Sequence, residues 1–215
     1  MTLKELKQLS GRGEDQFTEF KQYASEPDQI TEEIVGFLNA RGGHLLIGIK
    51  DDGSLTGLKF PEDDLSFLLN YISEQIVPRF KFDSEIVPLS AKKGVIHIFV
   101  PEGKRKPYAL INKDNKQKTV YYRVKDECIK ASRELKSILR QANSYHGRTL
   151  VYSDIEAAVL KQIEQHGSLT KADLLNKIEF NSRKISDCLI RLVTSKILTI
   201  TPATSGDLFA YKHPG

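Results

Sequence analysis

The chain has 215 residues, 40% apolar and 28% charged, with 32 Lys and Arg against 28 Asp and Glu for a net charge of +4. That length gives one large domain or one and a half, and the composition excludes both a disordered chain and a histone-like binder working through total charge. No apolar run approaches the roughly 18 residues of a bilayer span, MTLKELKQLS lacks the apolar core of a signal peptide, and Cys128 and Cys188 form no C-x-x-C pair. A cytoplasmic chain without a disulfide framework or structural zinc is expected.

Thr2 to Leu9 predicts a short helix. FTEFKQY (17–23) alternates and is rich in aromatics, as a strand does. Asp28 to Asn39 predicts a helix with Ile30, Ile34, Val35, Phe37 and Leu38 as its apolar side, stopping at Gly42-Gly43. HLLIGI (44–49) is a continuous apolar run, the pattern of a strand buried on both faces. Asp51-Asp52-Gly53-Ser54 is a turn, and LTGLKF leads into a helix over Pro61 to Ile76. FKFDSEIVPL (80–89) and GVIHIFVP (94–101) are strands joined at Ala91–Gly94. Pro107 to Ile111 and Lys118 to Val124 form another pair around Asn112–Asn115. A helix from Ser132 to Asn143 closes this first domain, 1–146. Helices mixed with sequential strands predict an α+β (mixed α/β) fold rather than a regular doubly wound sheet.

SYHGRT (144–149) reads as a boundary, and 147–215 as a second domain. Ser153 with Glu156 has capping-box spacing and opens a helix with Ile155, Val159, Leu160 and Ile163 inward. Thr170 with Asp173 opens a second helix. A third, from about Asn181, buries Ile185, Cys188, Leu189, Leu192 and Val193. Ile197–Thr201 and Asp207–Lys212 pair across Ala203–Gly206. Together these elements predict a winged helix-turn-helix. Its helix 181–195 would enter the major groove. The face predicted to point away from the core carries Asn181, Ser182, Arg183, Ser186 and Ile190, flanked by Lys184 and Arg191. Arg183 suits guanine and Lys184 a phosphate. Asp187 on that side, and a wing tip without a base, suit a module that joins protein to protein instead.

Charge is unevenly spread. Residues 13–35 hold seven acids and one base, whereas 103–140 hold twelve bases and four acids. The second stretch is the electrostatic footprint of a phosphate-bearing partner. Lys104, Arg105, Lys106, Lys116, Lys118, Arg123 and Lys125 are the expected phosphate contacts. Tyr108, Tyr121 and Tyr122 interleave with them and suit stacking on unpaired bases. Tyr121 and Tyr122 are neighbours on a strand, so at most one faces a groove. Among the acids, Glu14, Glu19, Asp51 and Asp52 come from several elements, as the ligands of Mg²⁺ or Mn²⁺ do. Their ordinary readings are a turn for Asp51-Asp52-Gly53 and a Glu19 that simply faces Lys21 on one strand face.

GEDQFTEFK (13–21), FLNARGGHLLIGIKDDGSLTG (37–57) and KTVYYRVKDECIKAS (118–132) resemble the Schlafen AlbA_2 domain over about 13–140. The signature is E-F-K, then N-x-x-G-G-x-L-x-I-G-I-x-D-D-G, then Y-x-R. The resemblance implies a nucleic-acid-binding α/β domain with a basic surface. In bacteria and archaea such domains are frequently followed by winged helices in proteins labelled transcriptional regulators. In the vertebrate Schlafen proteins two such lobes form a clamp that cuts tRNA or rRNA with a metal held by two glutamates and an aspartate. The resemblance places those acids at Glu14, Glu19 and Asp51, with Asp52 as the alternative. With one lobe in this chain, a clamp requires a homodimer. The zinc-binding cysteines and histidines of those relatives have no counterpart cluster, His44, His97, His146, His166 and His213 being scattered. The older grouping with divergent ATPases has no support, since no G-x-x-x-x-G-K-[ST] occurs.

The leading expectation is a DNA-binding transcriptional regulator, homodimeric and needing no cofactor, with DNA favoured over RNA. The alternatives are a Mg²⁺- or Mn²⁺-dependent endoribonuclease acting on structured RNA, and a module that only assembles with other proteins.

Overall fold

Residues 1–112, 115–142 and 152–212 are described by a computed structural model, and the chain divides between Ile129 and Lys130 into two units. The first unit runs α1 (Leu3–Ser10), β1 (Thr18–Lys21), α2 (Pro27–Asn39), β2 (Gly43–Ile47), α3 (Pro61–Gln75), β3 (Ile76–Val77), β4 (Asp83–Ser90) and β5 (Lys93–Val100). It continues with β6 (Ala109–Ile111), β7 (Lys118–Thr119), β8 (Tyr121–Val124) and β9 (Glu127–Lys130). This is a mixed α/β architecture. The main sheet has the order β1-β2-β5-β4, with β1 parallel to β2 and the other pairings antiparallel.

The apolar run of β2 is explained by its central place. Leu45 and Ile47 face a core shared with Ile34, Phe37 and Leu38 of α2 and with Leu68 and Ile72 of α3. Leu46 points the other way, into a second core with Leu6 of α1, Phe20 and Val95. A strand covered on both faces has no polar side to show. α1 begins as predicted, with Thr2 and Glu5 closing a capping box.

The two glycines after α2 do different work. Gly42 turns the chain with φ +75°, and a Cβ there would lie 2.6 Å from the Val100 carbonyl oxygen. Gly43 already belongs to β2, and a Cβ on it would meet the Phe37 ring at 2.3 Å.

Two short strands escape the sequence pattern. β3 pairs with β6, and β6 with β7, in a small antiparallel sheet. The stretch Lys118 to Val124 is not one strand: it breaks at Val120, after which β8 pairs with β9 and lies against α2. Strands of two to four residues carry too few alternations to register as a period. Part of the predicted turn at 112–115 lies outside the described residues.

The second unit comprises α4 (Arg133–Ala142), α5 (Asp154–His166), β10 (Ser168–Thr170), α6 (Lys171–Lys177), α7 (Ser182–Thr194), β11 (Leu198–Thr201) and β12 (Leu208–Tyr211). The strands form an antiparallel sheet of order β10-β12-β11, so β10 adds a third strand to the predicted hairpin. Ile155, Val159, Ile163, Leu174, Ile185, Cys188, Leu189, Leu192, Leu198 and Phe209 make its core. Thr170 and Asn181 cap α6 and α7 with their side chains.

α4 does not close the first unit. It packs on α7, where Glu134 accepts from Ser186 Oγ and, at 2.9 Å, from Lys171 Nζ, and where Arg133 pairs with Asp187 at 3.1 Å. The structural division therefore falls upstream of 146/147; that expected boundary, with Asn143 and SYHGRT, lies outside the described residues. α4 also corrects the face of α7 expected to be open. Ser186 and Ile190 are 0% and 6% exposed, because that side of the helix is covered.

Candidate nucleic-acid interface and the Arg123 network

Alternation along β1 puts Glu19 and Lys21 on one face, opposite Leu45 and Ile47 and toward α2, and the two side chains pair there. Glu33 comes to the same place from α2 and Arg123 from β8. Arg123 bonds Glu19 at 2.9 Å and Glu33 at 2.6 Å, donates to the carbonyls of Asp15 and Thr18, and stacks over the Phe37 ring at 4.6 Å. It is 3% exposed. The expectation that it contacts phosphate is therefore corrected: all three guanidinium nitrogens donate to interior carboxylates and carbonyls, which a planar guanidinium does better than any other cation.

Three further expected contacts are also taken up internally. Lys106 Nζ donates to the Ala40 carbonyl and to Glu102, each at 2.7 Å. Tyr108 is core, and Tyr121 is buried with its hydroxyl on Glu32. Only Tyr122 of the three tyrosines stays partly exposed.

The acids do not assemble a metal site. Glu14 Oε1 accepts from the Phe20 N–H at 2.8 Å, Glu19 is held by Lys21 and Arg123, and Asp51 is exposed on its turn. Among the described residues no group of three or more His, Cys, Asp or Glu is placed to hold a metal ion. A hard cation needs several free carboxylate oxygens converging on one point, and those of Glu19 are already engaged by cations. The residues present do not fit Mg²⁺ or Mn²⁺. Asp52 serves its turn, accepting from Ser54 N at 2.9 Å.

Burial pushes the Glu33 carboxyl up from its ordinary 4.5 to about 7, with Glu19 beside it adding to the rise against the pull of Arg123. Burial and the neighbouring Glu19 raise Glu14 as well. A carboxyl whose value is higher folded than unfolded binds more protons in the folded chain across the window between the two values. Stability contributed by Glu33 therefore falls as pH rises from about 4.5 to about 7 and is level above that. Glu33→Gln keeps an acceptor for Arg123 and removes this fall. Thermal midpoints of both proteins, measured from pH 4.5 to 8, should diverge progressively over that window; parallel curves would refute it.

Five of the seven bases expected from 103–125 are exposed: Lys104 and Arg105 between β5 and β6, Lys116 on the β6–β7 connection, Lys118 at the start of β7, and Lys125 at the β8–β9 turn. In the second unit Arg183 and Lys184 are exposed at the amino end of α7, whereas Arg191 is drawn to Glu156 of α5. The histidines are less scattered than the sequence suggests. His44 Nδ1 lies 2.8 Å from His97 Nε2, and His97 Nδ1 lies 2.9 Å from Glu85, on the α1 face of the sheet. His146 and His213 lie outside the described residues.

Residues 14–132, more than half of the chain, match the Schlafen AlbA_2 family. The chain belongs to that family. Membership points to nucleic-acid binding. No curated protein is significantly similar to the chain in sequence. Among solved structures, the chain resembles the DIP2311 protein of Corynebacterium diphtheriae, with 17% identity, 91% of this chain and 34% of that one covered, and a TM-score of 0.47. It also resembles the N-terminal domain of an ATP-dependent DNA helicase RecG-related protein from Nitrosomonas europaea, with 18% identity, 72% and 97% covered, and a TM-score of 0.43. The chain spans about a third of the length of the first. Neither likeness is close enough to carry an argument. No described helix is long and apolar enough to cross a membrane.

In this AlbA_2 domain the signature residues are largely scaffold. Glu19, Lys21 and Arg123 are the ion network, and Gly42 and Gly43 set the approach of α2 to the sheet. Asn39, fully buried at the end of α2, ties that helix to β8 and to the residue before β6. Asn39 and Glu33 were not singled out as functional from the sequence. A polar residue one position beyond the apolar stripe, just ahead of Gly42-Gly43, was the available signal for Asn39.

Proposed function

We propose that this protein is a DNA-binding regulator whose first unit grips phosphates through Lys104, Arg105, Lys116, Lys118 and Lys125. The observation that carries the reading is that these five bases, four on connections and Lys118 at the start of β7 in an AlbA_2 domain, are all exposed, while the acids Glu19 and Glu33 are turned inward. The second unit supplies a winged helix. Its helix order, caps and three-stranded sheet support that reading. With α4 on its flank, α7 would meet DNA through Arg183 and Lys184 at its amino end, the part of a recognition helix that reaches base edges.

Binding of this kind is dominated by counterion release, so affinity falls steeply with salt. Replacing Lys104, Arg105 and Lys118 by glutamine should reduce the slope of log affinity against log salt by about 2.7 for duplex DNA, at about 0.9 per lost phosphate contact. Fluorescence anisotropy between 50 and 200 mM salt measures this. A triple variant with the parent's slope removes these loops from the interface. The metal-dependent nuclease reading gains nothing from the arrangement of Glu14, Glu19 and Asp51.

A further inference from the structure

Beyond the carboxyl ends of the parallel pair β1 and β2 lies a cleft of about 710 Å³. Its walls come from the segment between β1 and α2, from Thr56–Phe60 after β2, and from the first turns of α3. The volume suits one nucleotide-sized group.

Its lining is unusual for the first unit. The three aromatic side chains of that unit that are more than half exposed, Tyr23 (62%), Phe60 (68%) and Phe67 (52%), all line this cleft. Exposing that much aromatic surface is unfavourable unless something covers it. Lys59 and Lys93 also line it, against one acid, Asp64, so the cleft is net basic. Gln22, Ser25 and Thr56 also line it, with Gln22 donating to the Tyr23 hydroxyl at 2.8 Å and Thr56 to the Gly48 carbonyl at 2.9 Å. Aromatic faces with cations at the rim and a few hydrogen-bonding groups are what an unpaired base and its phosphates require.

We propose that this cleft seats an unpaired nucleobase of a single-stranded nucleic-acid segment, stacked on Phe60 and Phe67, with a neighbouring phosphate on Lys59. The assignment rests on the nucleic-acid reading above and adds to it a second, single-strand-specific site apart from the duplex-binding loops.

The test uses the full chain with a labelled twelve-residue oligothymidylate, a duplex of mixed sequence, and free thymidine monophosphate. Phe60→Ala with Phe67→Ala removes only exposed side chains, and a circular dichroism melt checks that folding is kept. The double variant should bind the single strand about 10- to 100-fold more weakly and the duplex as the parent does, and the free mononucleotide should not compete at micromolar concentration. Equal single-strand affinity in parent and variant overturns the cleft assignment while leaving duplex binding intact. Parent protein that binds neither strand nor duplex overturns both readings. Competition by the free mononucleotide makes the cleft a small-molecule site, and a change of sedimentation coefficient with unchanged binding makes it a protein interface; either overturns the proposal. Phe60→Trp should retain or strengthen single-strand binding, which a purely structural role would not predict.

Discussion

Arg123→Ala is expected to destabilise the first unit by about 3–5 kcal/mol, the cost of leaving buried charges unpaired. Glu19, 5% exposed, and Glu33, largely covered, both lean on this one guanidinium, and the carbonyls of Asp15 and Thr18 lose their donor with it. Arg123→Lys should recover little, because one ammonium cannot reach two carboxylates and two carbonyls in a plane. Pairing Arg123→Met with Glu33→Gln should be milder than Arg123→Met alone, since it removes a charge along with its partner. Urea unfolding followed by circular dichroism measures all four proteins. A phosphate-contacting arginine would behave in the opposite way, losing nucleic-acid affinity at unchanged stability, and that result would remove Arg123 from the interior network.

Asn39→Asp carries the second large effect. The Asn39 amide nitrogen donates to the carbonyls of Tyr108 and Tyr121 at 2.9 and 2.8 Å, and its oxygen accepts from the Tyr108 N–H at 2.8 Å. No exposed surface remains on this side chain. A carboxylate there takes away both donors and sets a negative oxygen against two carbonyls, and the protonated acid restores only one donor. With each orphaned buried group costing about 1–3 kcal/mol, the loss should reach about 3 kcal/mol or more. Asn39→Ala leaves one N–H and two carbonyls unmatched and should fall in the same range. A loss under about 1 kcal/mol in either variant would show that water or a local shift replaces these bonds. Because the same side chain ties α2 to β8, the defect should also loosen Arg123, so the Asn39 and Arg123 losses should not add.

The network withdraws two acids and two bases together, so it leaves the balance of exposed charge unchanged. Glu19 and Glu33 are drawn inward together with Lys21 and Arg123, and the exposed bases of the later connections are left to solvent.

Much of the frame was legible because it depends on neighbours in sequence. The Ser153–Glu156 and Thr170–Asp173 boxes, the stripes of α2 and α7, and the two-sided run of β2 are all set by residues within a few positions of each other. The family signature was legible for the same reason, as three short strings. What those strings do was not. Arg123 looks like a surface base in a basic stretch, yet it lies beside Glu19, more than a hundred residues away in sequence. His44 and His97 look isolated until β2 and β5 pair.

The sequence by itself therefore determined the helices, the two-sided central strand, the order of an α/β region followed by a helical one with a hairpin, and the family, but not the place where the two units divide. Tertiary structure alone decided which charges face water. A side chain's desolvation and its partners arise from long-range pairing, and no local pattern encodes them. That is why Arg123 and Lys106 leave the candidate interface, why α4 covers a face of α7 that periodicity left open, and why Tyr23, Phe60 and Phe67, unremarkable in the sequence, come together around one cleft.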